Sequence, residues 1–510
     1  MGELLLGMDI GTYSSKGVLV RPDGTIVKSA TVPHTMDIPH PGWAEQDADG
    51  VWWHDVLELC HELIDGDPVR GNDVAAVALS AIGPCLLPLD SVGRPLRKGI
   101  LYGVDTRAMN EIDELAERLG EDAVMRHSGM AFTSQAIGPK ILWLQHHEPE
   151  VWARTDKLHT ASSYLVYRLT GEHVMDRHTA SHYMPLIDIH ALEWNDALGS
   201  RLAGQDLLPR LGWSDEQAGV VSAAAADATG LAPGTPVAVG AVDALSEAIS
   251  AGVTKPGDLM IMYGSSTFFI LIEETPHPDP RVWTTAGAFK DQYALAAGMS
   301  TTGSLTRWFR DQFARDLPQD SAYQELFDGA RRVPPGAEGL LLLPYFSGER
   351  TPINDPLAKG VLAGLTLSHT RDHLYRSVLE GIALGIRHNL ETFQAIGIPI
   401  KRVMAVGGGA QSAMWPQIVS DAGHVRQHLP RITIGASYGD AYLAGLCAGL
   451  VEPGSIGSWN PPQVSIHPNE DHYPLYDERY RQYQTLYQAT REVVHELGTT
   501  ADDRHPSAAK

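Results

Sequence analysis

Two short turns in the sequence have the composition of phosphate-binding hairpins. Each turn links two apolar stretches, and the two turns lie about 250 residues apart. Their residues are Gly11, Thr12, Tyr13 and Ser14 in the first turn, and Gly264, Ser265, Ser266 and Thr267 in the second. Glycine lets the backbone N–H groups of a tight turn approach a phosphate, and hydroxyl groups add further donors. Plain β-hairpins have the same local composition, so it is the repetition that favours a phosphate site.

Two carboxylates stand at the ends of apolar stretches, where a buried charge is costly unless it has a partner or a function. Asp9 precedes the first turn and is predicted to hold Mg²⁺ through a bound water, because Mg²⁺ usually keeps several of its waters. Asp243 follows the apolar stretch 237–242 and precedes a predicted helix. It is interpreted either as a general base that accepts a proton from an alcohol or as the N-cap of that helix.

Two further pairs of polar residues have a spacing that could serve a ligand. Asp105 and Arg107 follow an apolar stretch, and a carboxylate and a guanidinium at this spacing could bind adjacent hydroxyls of a sugar. A surface ion pair is the alternative interpretation. His178 and His182 have the spacing of helical metal ligands, but Pro185 and the β-type flanks argue against a helix, which disfavours a metal site there.

Two common nucleotide-binding motifs do not occur in the sequence. There is no Gly-Lys dipeptide, which excludes the Walker P-loop. The glycine run that begins at Gly407 has Ser412 where a dinucleotide fingerprint requires Gly or Ala, and no acidic residue follows about 20 positions later. A dinucleotide site of the Rossmann type is therefore disfavoured.

The composition limits the classes of partner. The chain has 510 residues, with 39 Lys and Arg against 62 Asp and Glu, and a formal net charge of −23. This charge repels nucleic acid, so no nucleic-acid partner is expected. No run of about 18 apolar residues occurs, only three cysteines are present, and no basic region precedes Asp9. These features predict a cytoplasmic protein without a membrane partner.

The elements that would position these residues alternate between strands and helices, which predicts an α/β fold. A change in character near residue 230 favours two domains, residues 1–250 and 251–497. They are followed by a polar tail, 498–510, that is predicted to be disordered. A helix is predicted over 370–395, because its apolar residues recur at helical spacing, and a strand is predicted over 401–406, just before the glycine run.

Taken in this order, the features resemble the FGGY family of carbohydrate kinases over roughly residues 4–490. The most specific part of the resemblance is GVLAGL at 360–365, followed after seven residues by HLYRSVLE at 373–380. Four other stretches are also similar to family sequences: MDIGTYSSKG, GWAEQD, PVAVGAVDA and AVGGGAQSAMW.

The resemblance implies two actin-like (ribonuclease-H-type) ATPase domains around a central cleft, with ATP and Mg²⁺ as cofactors. By position, it assigns the Mg²⁺ site to Asp9 and the role of catalytic base to Asp243, and it makes the two turns the phosphate loops. It places substrate binding at Asp105, Arg107 and Asp243. It places the adenosine over Gly408, Gly409, Ala410 and Gln411, with Gln411 or Ser412 in place of the family's usual Asn or Lys.

The resemblance also bears on the acceptor. The segment 344–352, PYFSGERTP, is most similar to xylulokinases, whereas Ile82-Gly83-Pro84-Cys85 stands where those enzymes usually carry Gln-Met-His-Gly. The predicted activity is ATP-dependent phosphorylation of a small sugar or polyol, a ketopentose such as xylulose, by a homodimer. The alternatives are another acceptor (ribulose, gluconate, glycerol or a tetritol) and a nucleotide-switched actin-like binding protein without sugar turnover.

Overall fold

A computed structural model describes residues 3–65 and 69–504 of the chain. The strands are β1 (Leu4–Ile10), β2 (Ser14–Val20), β3 (Ile26–Pro33), β4 (Glu45–Gln46), β5 (Val74–Ala81), β6 (Leu87–Leu89), β7 (Gly99–Ile100), β8 (Lys157–His159), β9 (Val174–Asp176), β10 (Ile187–Asp188), β11 (Glu193–Trp194), β12 (Arg210–Gly212), β13 (Gln217–Val220), β14 (Pro236–Ala238), β15 (Ala241–Val242), β16 (Asp258–Tyr263), β17 (Thr267–Glu273), β18 (Trp283–Ala286), β19 (Tyr293–Met299), β20 (Leu341–Leu343), β21 (Val361–Ala363), β22 (Arg402–Val406), β23 (Gln427–Pro430) and β24 (Pro462–Ile466).

The α-helices are α1 (His54–Ile64), α2 (Met109–Leu119), α3 (Glu121–Ser128), α4 (Ile137–His147), α5 (Pro149–Trp152), α6 (Ala161–Thr170), α7 (Arg177–Ala180), α8 (Asp196–Gly199), α9 (Ala223–Thr229), α10 (Asp243–Ser250), α11 (Gly303–Phe313), α12 (Ala322–Arg332), α13 (Arg371–Ala395), α14 (Met414–Gly423), α15 (Ala436–Cys447), α16 (Ile456–Trp459) and α17 (Tyr473–Arg504). A π-helical segment covers Ala48–Trp53, and 3₁₀ turns cover Gly71–Asp73, Gln205–Leu207, Ala337–Gly339, Gly408–Gln411 and Glu470–His472. Among the helices of the described residues, none has the length and apolarity needed to cross a bilayer.

The chain divides into two compact units that are not contiguous in sequence. Unit 1 comprises Met1–Pro256, Ile272–Leu295 and Ile434–Pro461, and unit 2 comprises Gly257–Leu271, Ala296–Thr433 and Pro462–Lys510. The division of the family domains at residue 250 stays a prediction. In the tail predicted to be disordered, α17 extends to Arg504, and residues 505–510 lie outside the described residues.

Unit 1 is built on a sheet with the strand order β13-β14-β5-β1-β2-β3, to which β15 adds a further pairing with β5. The alternation of apolar stretches and turns at the start of the chain predicts β1, β2 and β3, and all three form antiparallel neighbours. β1 is parallel to β5, so that Asp9 lies opposite Ser80. Helix α15 packs closely on β1 because Gly7 has no side chain: a Cβ there would lie 2.0 Å from the Ser437 carbonyl oxygen.

Unit 2 repeats this arrangement. Its strands β17, β16, β22, β23 and β24 are neighbours in that order. β16 and β17 form an antiparallel hairpin, and β22 lies parallel to β16, just as β5 lies parallel to β1. The helix predicted over 370–395 is observed as the 25-residue α13, which is buried along most of its length. The two hairpins with turns of similar composition are thus equivalent elements of two similar sheets.

Candidate functional site

The first turn joins β1 to β2 in unit 1, and other residues hold it through hydrogen bonds to its carbonyl oxygens. The Gly11 N–H donates to the Ser14 carbonyl oxygen at 3.1 Å, and a Cβ on Gly11 would lie 2.8 Å from that oxygen. The His34 ring bonds the Gly11 carbonyl, the His34 N–H donates to the Tyr13 carbonyl, and Gln46 donates to the Thr12 carbonyl. The carbonyls of Gly11, Thr12 and Tyr13 are thus bonded to the protein, and the Gly11 N–H is used within the turn, which leaves the N–H groups of Thr12 and Tyr13 as the candidates for binding a phosphate.

Asp9 lies at the end of β1 with a partly exposed side chain. Its Oδ1 accepts a hydrogen bond of 3.1 Å from the Ser80 hydroxyl. Burial raises the pKa of Asp9 to about 6, against the opposing effects of Ser80 and Lys16. Within the part of the chain that the structure describes, no three His, Cys, Asp or Glu side chains are grouped to hold a metal. A Mg²⁺ at Asp9 would thus have one carboxylate, with waters and ligand oxygens completing its shell, which is a common arrangement for this ion.

Asp243 is the first residue of α10, directly after β15. Its Oδ1 accepts the N–H of the next residue, Ala244, at 2.7 Å, and the N-cap position of the helix is occupied by Val242, which makes no side-chain capping bond. The N-cap interpretation of Asp243 is therefore wrong. Burial raises the pKa of Asp243 to about 8, and the nearby charges of Asp9 and Glu247 raise it further. A carboxyl with this pKa is suited to taking up a proton near neutral pH.

Two more carboxyl groups lie near Asp9 and Asp243, and sequence reasoning missed both. Asp440 on α15 is completely buried, and its carboxyl group is hydrogen-bonded to the hydroxyls of Ser246 at 2.6 Å and Ser80 at 2.7 Å. Burial raises the pKa of Glu247, one turn after Asp243, to about 7, with Asp9 raising it further and Lys16 lowering it. The available signal was an acidic residue in the interior of each of two helices made mostly of small and apolar residues: Glu247 in DALSEAIS and Asp440 in ASYGDAYLAGLC.

Asp105 and Arg107 form a buried ion pair, so the interpretation as a surface pair is wrong. Both side chains are 0% exposed, and the guanidinium contacts the carboxylate through Nε at 3.0 Å and Nη2 at 2.7 Å. Arg107 also donates to Glu45 and lies 4.1 Å from the ring centre of Trp43. Each group is thus engaged within the protein, and binding of a sugar by this pair stays a prediction.

Hydroxyl groups provide polar surface near Asp243. The Tyr102 hydroxyl lies 3.2 Å from the Thr12 hydroxyl, and the pKa of Tyr102 is raised by burial and by the charge of Asp243. The segment 82–85 borders the same region, since a Cβ on Gly83 would lie 3.1 Å from Val242. Lys140 is buried next to Tyr102, and its ammonium group donates to the Tyr102 carbonyl oxygen at 3.2 Å. Burial lowers the pKa of Lys140 to about 8.

The second turn joins β16 to β17 in unit 2 and is held by the start of α11. The N–H groups of Gly303 and Ser304 donate to the carbonyls of Gly264 and Ser265 at 3.1 Å and 2.9 Å. A Cβ on Gly303 would lie 2.4 Å from the Gly264 carbonyl oxygen, so only glycine allows this approach. Sequence reasoning missed residues 302–304, because the contact joins segments about 40 residues apart.

A cavity of about 770 Å³ in unit 2 brings the second turn and the glycine run together. Gly264 and Ser265 line it, together with Gly408, Gly409 and Gln411, whereas Ala410 is buried and does not line it. Helices α11 and α12 add side chains that were not predicted: Arg307, Tyr323, Gln324, Phe327 and Arg331. Ser412 and Trp415 also line the cavity. Their Oγ and Nε1 atoms are buried and have no hydrogen-bond partner among the described residues.

The histidine pair noted in the sequence lies elsewhere in unit 1. His178 is in the short helix α7, and its ring Nδ1 lies 2.8 Å from the carbonyl oxygen of Ala286. His182 is buried close to it, with ring centres 5.8 Å apart. Burial lowers the pKa of His178 to about 4 and that of His182 to about 3, so both rings are neutral near neutral pH.

Comparison with known proteins identifies the family of the chain. The FGGY family of carbohydrate kinases matches twice, with its N-terminal domain over residues 4–250 and its C-terminal domain over residues 259–448. Xylulose kinase of Escherichia coli K12 is 31% identical over 493 residues, 95% of this chain and 99% of its own. Gluconokinase of Bacillus subtilis is 27% identical, covering 95% of this chain and 94% of its own.

A solved structure, the xylulose kinase from Rhodospirillum rubrum, superposes with a TM-score of 0.90 at 31% identity, covering 96% of this chain and all of that one. The predicted fold is thus confirmed as that of the two-domain, actin-like carbohydrate kinases. The chain belongs to the FGGY family of carbohydrate kinases, which are phosphotransferases with an alcohol group as acceptor.

Proposed function

We propose that this kinase transfers the γ-phosphoryl group of ATP to a hydroxyl of a neutral ketopentose such as xylulose. The observation that carries the proposal is Asp243, a carboxyl group whose pKa burial raises to about 8. A base with this pKa accepts the proton that the acceptor alcohol loses during transfer. Similarity to xylulose kinases along almost the whole chain supports the choice of acceptor.

The cavity of unit 2 supports ATP as the donor. Its volume of about 770 Å³ lies within the usual range for small-molecule sites. The buried, unpartnered Ser412 Oγ and Trp415 Nε1 offer hydrogen bonds to a polar ligand. Arg307 and Arg331 line the cavity and add positive charge to it, although the chain as a whole is acidic. Guanidinium groups of this kind bind phosphate oxygens favourably. Gly408, Gly409 and Gln411 would lie along the adenosine.

Asp9 is the residue that would hold Mg²⁺ in unit 1. Its pKa is raised to about 6 mainly by burial, so a nearby cation would make the ionised form more favourable. Bound Mg²⁺ would neutralise part of the charge on the phosphate oxygens. The backbone N–H groups of each turn are of the kind that binds phosphate oxygens. Because phosphoryl transfer has a loose transition state, such positioning supplies most of the catalysis.

The surroundings of Asp243 favour a neutral acceptor. The charged groups that act on it are Asp9 and Glu247, and both are carboxylates that would repel the carboxylate of gluconate. The hydroxyls of Tyr102 and Thr12 are available to bind sugar hydroxyls. Gluconate nevertheless stays an alternative, because a gluconokinase is among the similar proteins. A binding protein without sugar turnover would not need a carboxyl group of raised pKa beside these hydroxyls.

The acceptor is tested by measuring ADP release from ATP with a panel of D-xylulose, D- and L-ribulose, erythritol, glycerol and gluconate. We expect the ketopentoses to give kcat/KM values at least about tenfold above those of gluconate, since placing a further carboxylate beside Asp9 and Glu247 costs of order 1.4 kcal/mol or more. Gluconate as the preferred acceptor would overturn the proposal of a neutral sugar while leaving the family assignment intact.

The raised pKa of Asp243 predicts how the rate depends on pH. The base must be ionised to accept a proton, so kcat/KM for the sugar, measured at saturating MgATP, should rise about tenfold per unit as pH increases toward about 8 and then level off. The same profile measured with Asp243→Asn should lack this rise. A wild-type profile that is flat from pH 5.5 to 8 contradicts the assignment of Asp243 as the base.

Two finer predictions accompany the proposal. The homodimer predicted from the family resemblance is open to test by light scattering of the purified protein. The cytoplasmic location, predicted from the few cysteines and the lack of apolar runs, is open to test by fractionation of the cells that produce it.

A further inference from the structure

In unit 1, one buried carboxyl group connects the two elements that carry Asp9 and Asp243. Asp440 on α15 is 0% exposed, and its two oxygens contact the hydroxyls of Ser80 on β5 and Ser246 on α10 at 2.7 Å and 2.6 Å. Ser80 lies opposite Asp9 in the β1–β5 pair, and its hydroxyl also contacts Asp9 Oδ1 at 3.1 Å. Ser246 lies one helical turn after Asp243.

The number of protons determines the direction of these hydrogen bonds. The Ser80 hydroxyl carries a single proton but contacts two carboxyl groups, so it cannot donate to both. Both contacts are hydrogen bonds in two arrangements: a protonated Asp9 donates to Ser80, which donates to Asp440, or a protonated Asp440 donates to Ser80, which donates to Asp9. Ser246 donates to the other oxygen of Asp440. Asp440 is completely buried whereas Asp9 is partly exposed, and burial raises the pKa of Asp440 well above its usual value, which favours the second arrangement, with Asp440 neutral.

The backbone around Asp440 leaves it little freedom to move. A Cβ on Gly439 would lie 2.1 Å from the Ser246 carbonyl oxygen, and a Cβ on Gly7 would lie 2.4 Å from the Ala441 nitrogen. Helix α15 is therefore in close contact with both α10 and β1. Because the helix is held in place, the carboxyl group of Asp440 has a fixed position and fixes the orientation of the side chains that it contacts.

We propose that Asp440 is a positioning residue that, as a neutral acid, holds Ser80 and Ser246 and thereby orients Asp9 and the start of α10. The inference rests on the proposed function, in which Asp9 holds Mg²⁺ and Asp243 receives the proton. Its consequence is that Asp9 keeps its negative charge for the metal, because Ser80 donates to Asp9 and Asp440 supplies no charge of its own.

The test compares Asp440→Asn with Asp440→Ala. The asparagine amide donates to Ser80 and its oxygen accepts from Ser246, so both hydrogen bonds are retained, whereas alanine loses both. The first readout is calorimetric titration of Mg²⁺ into the protein–ADP complex, which requires no sugar turnover. We expect Asp440→Ala to weaken Mg²⁺ binding about 10-fold or more, as changes of groups behind a metal ligand commonly do, and Asp440→Asn to stay within about 3-fold of wild type.

The second readout separates positioning from general stability. Melting temperatures are measured for all variants, and the Mg²⁺ concentration for half-maximal velocity is compared with the KM for the sugar. Asp440→Ala should raise the Mg²⁺ concentration for half-maximal velocity by a larger factor than it raises the KM for the sugar. If Asp440→Ala does not fold, Ser80→Ala interrupts the same connection with a smaller change and should show the same loss in Mg²⁺ binding. Ser250→Ala, at a buried serine one turn beyond Ser246, is the matched control and should bind Mg²⁺ like wild type.

Three outcomes overturn the inference. First, Asp440→Ala could bind Mg²⁺ like wild type, which would leave Asp440 a merely structural role. If Asp440→Ala is unfolded, the same result with Ser80→Ala has the same meaning. Asp440→Asn could be as impaired as Asp440→Ala, which would mean that an ionised carboxylate is required. Wild-type protein that binds no Mg²⁺–ADP would overturn the inference together with the proposed donor. Failure to phosphorylate any ketopentose would instead overturn the proposed acceptor alone, because the calorimetric result does not depend on it.

Discussion

Replacing Asp243 by asparagine is expected to lower turnover by about 10²–10⁴-fold, because a positioned general base typically contributes that much. The amide has nearly the same shape as the carboxylate, and its oxygen retains the hydrogen bond from the Ala244 N–H at 2.7 Å. It has no basic group to accept the proton of the alcohol. ATP affinity, measured by calorimetry in the absence of sugar, should remain within about 3-fold of wild type, since the residues assigned to the adenosine are in unit 2.

The matched control for this prediction is Asp196→Asn. Asp196 is also the first residue of a helix, α8, but its side chain is exposed and belongs to no site described above. Its turnover should equal that of wild type. Turnover of Asp243→Asn within a few-fold of wild type, with a normal melting temperature, is the result that would remove Asp243 from its proposed role.

Replacing Gly303 by valine should have the second largest effect. Any Cβ at this position would lie 2.4 Å from the Gly264 carbonyl oxygen, so the turn of residues 264–267 must move. A displacement of about 1 Å in a positioning element costs up to about 10²-fold in rate. We therefore expect kcat/KM for ATP to fall by about 10²-fold in steady-state assays, with a weaker change in the KM for the sugar, whose proposed contacts are in unit 1.

Gly457→Val is the control for this substitution. Gly457 is in α16, has no atom within 4 Å of a Cβ built on it, and does not have a left-handed backbone. It should behave like wild type in the same assays. If Gly303→Val binds ATP normally while its melting temperature falls, then the contact between α11 and the second turn serves stability and not nucleotide binding.

The sequence allowed prediction of the parts of the site that are local in the chain. A strand, a glycine-hydroxyl turn and a second strand lie within about 17 residues in each unit, so the turns and Asp9 were identified from their neighbours alone. The same holds for Asp243, because a charge between an apolar strand and a helix stands out. The supporting residues His34 and Gln46 were missed, since nothing near them in the sequence indicates that they bind the carbonyls of the first turn.

The residues that could not be predicted come from distant segments. Asp440 reaches Ser80 across 360 positions, because α15 returns to unit 1 and packs on β1 through Gly7. The same return brings residues 434–461 into unit 1, which is therefore discontinuous in sequence. Arg307 and Arg331 are on amphipathic helices, and the sequence does not distinguish them from other exposed arginines. Only the structure shows that they line a cavity. The burial of Arg107 likewise depends on Trp43, which lies 64 positions earlier.

The most direct test of the account is phosphorus nuclear magnetic resonance of the complete reaction, with ATP, Mg²⁺ and D-xylulose, for wild type and Asp243→Asn. The account predicts that wild-type enzyme forms one sugar phosphate ester for each ADP, with little inorganic phosphate, and that the variant forms the ester at least about 10²-fold more slowly. Formation of the ester at the wild-type rate by Asp243→Asn, or ADP accompanied only by inorganic phosphate with wild type, would contradict it.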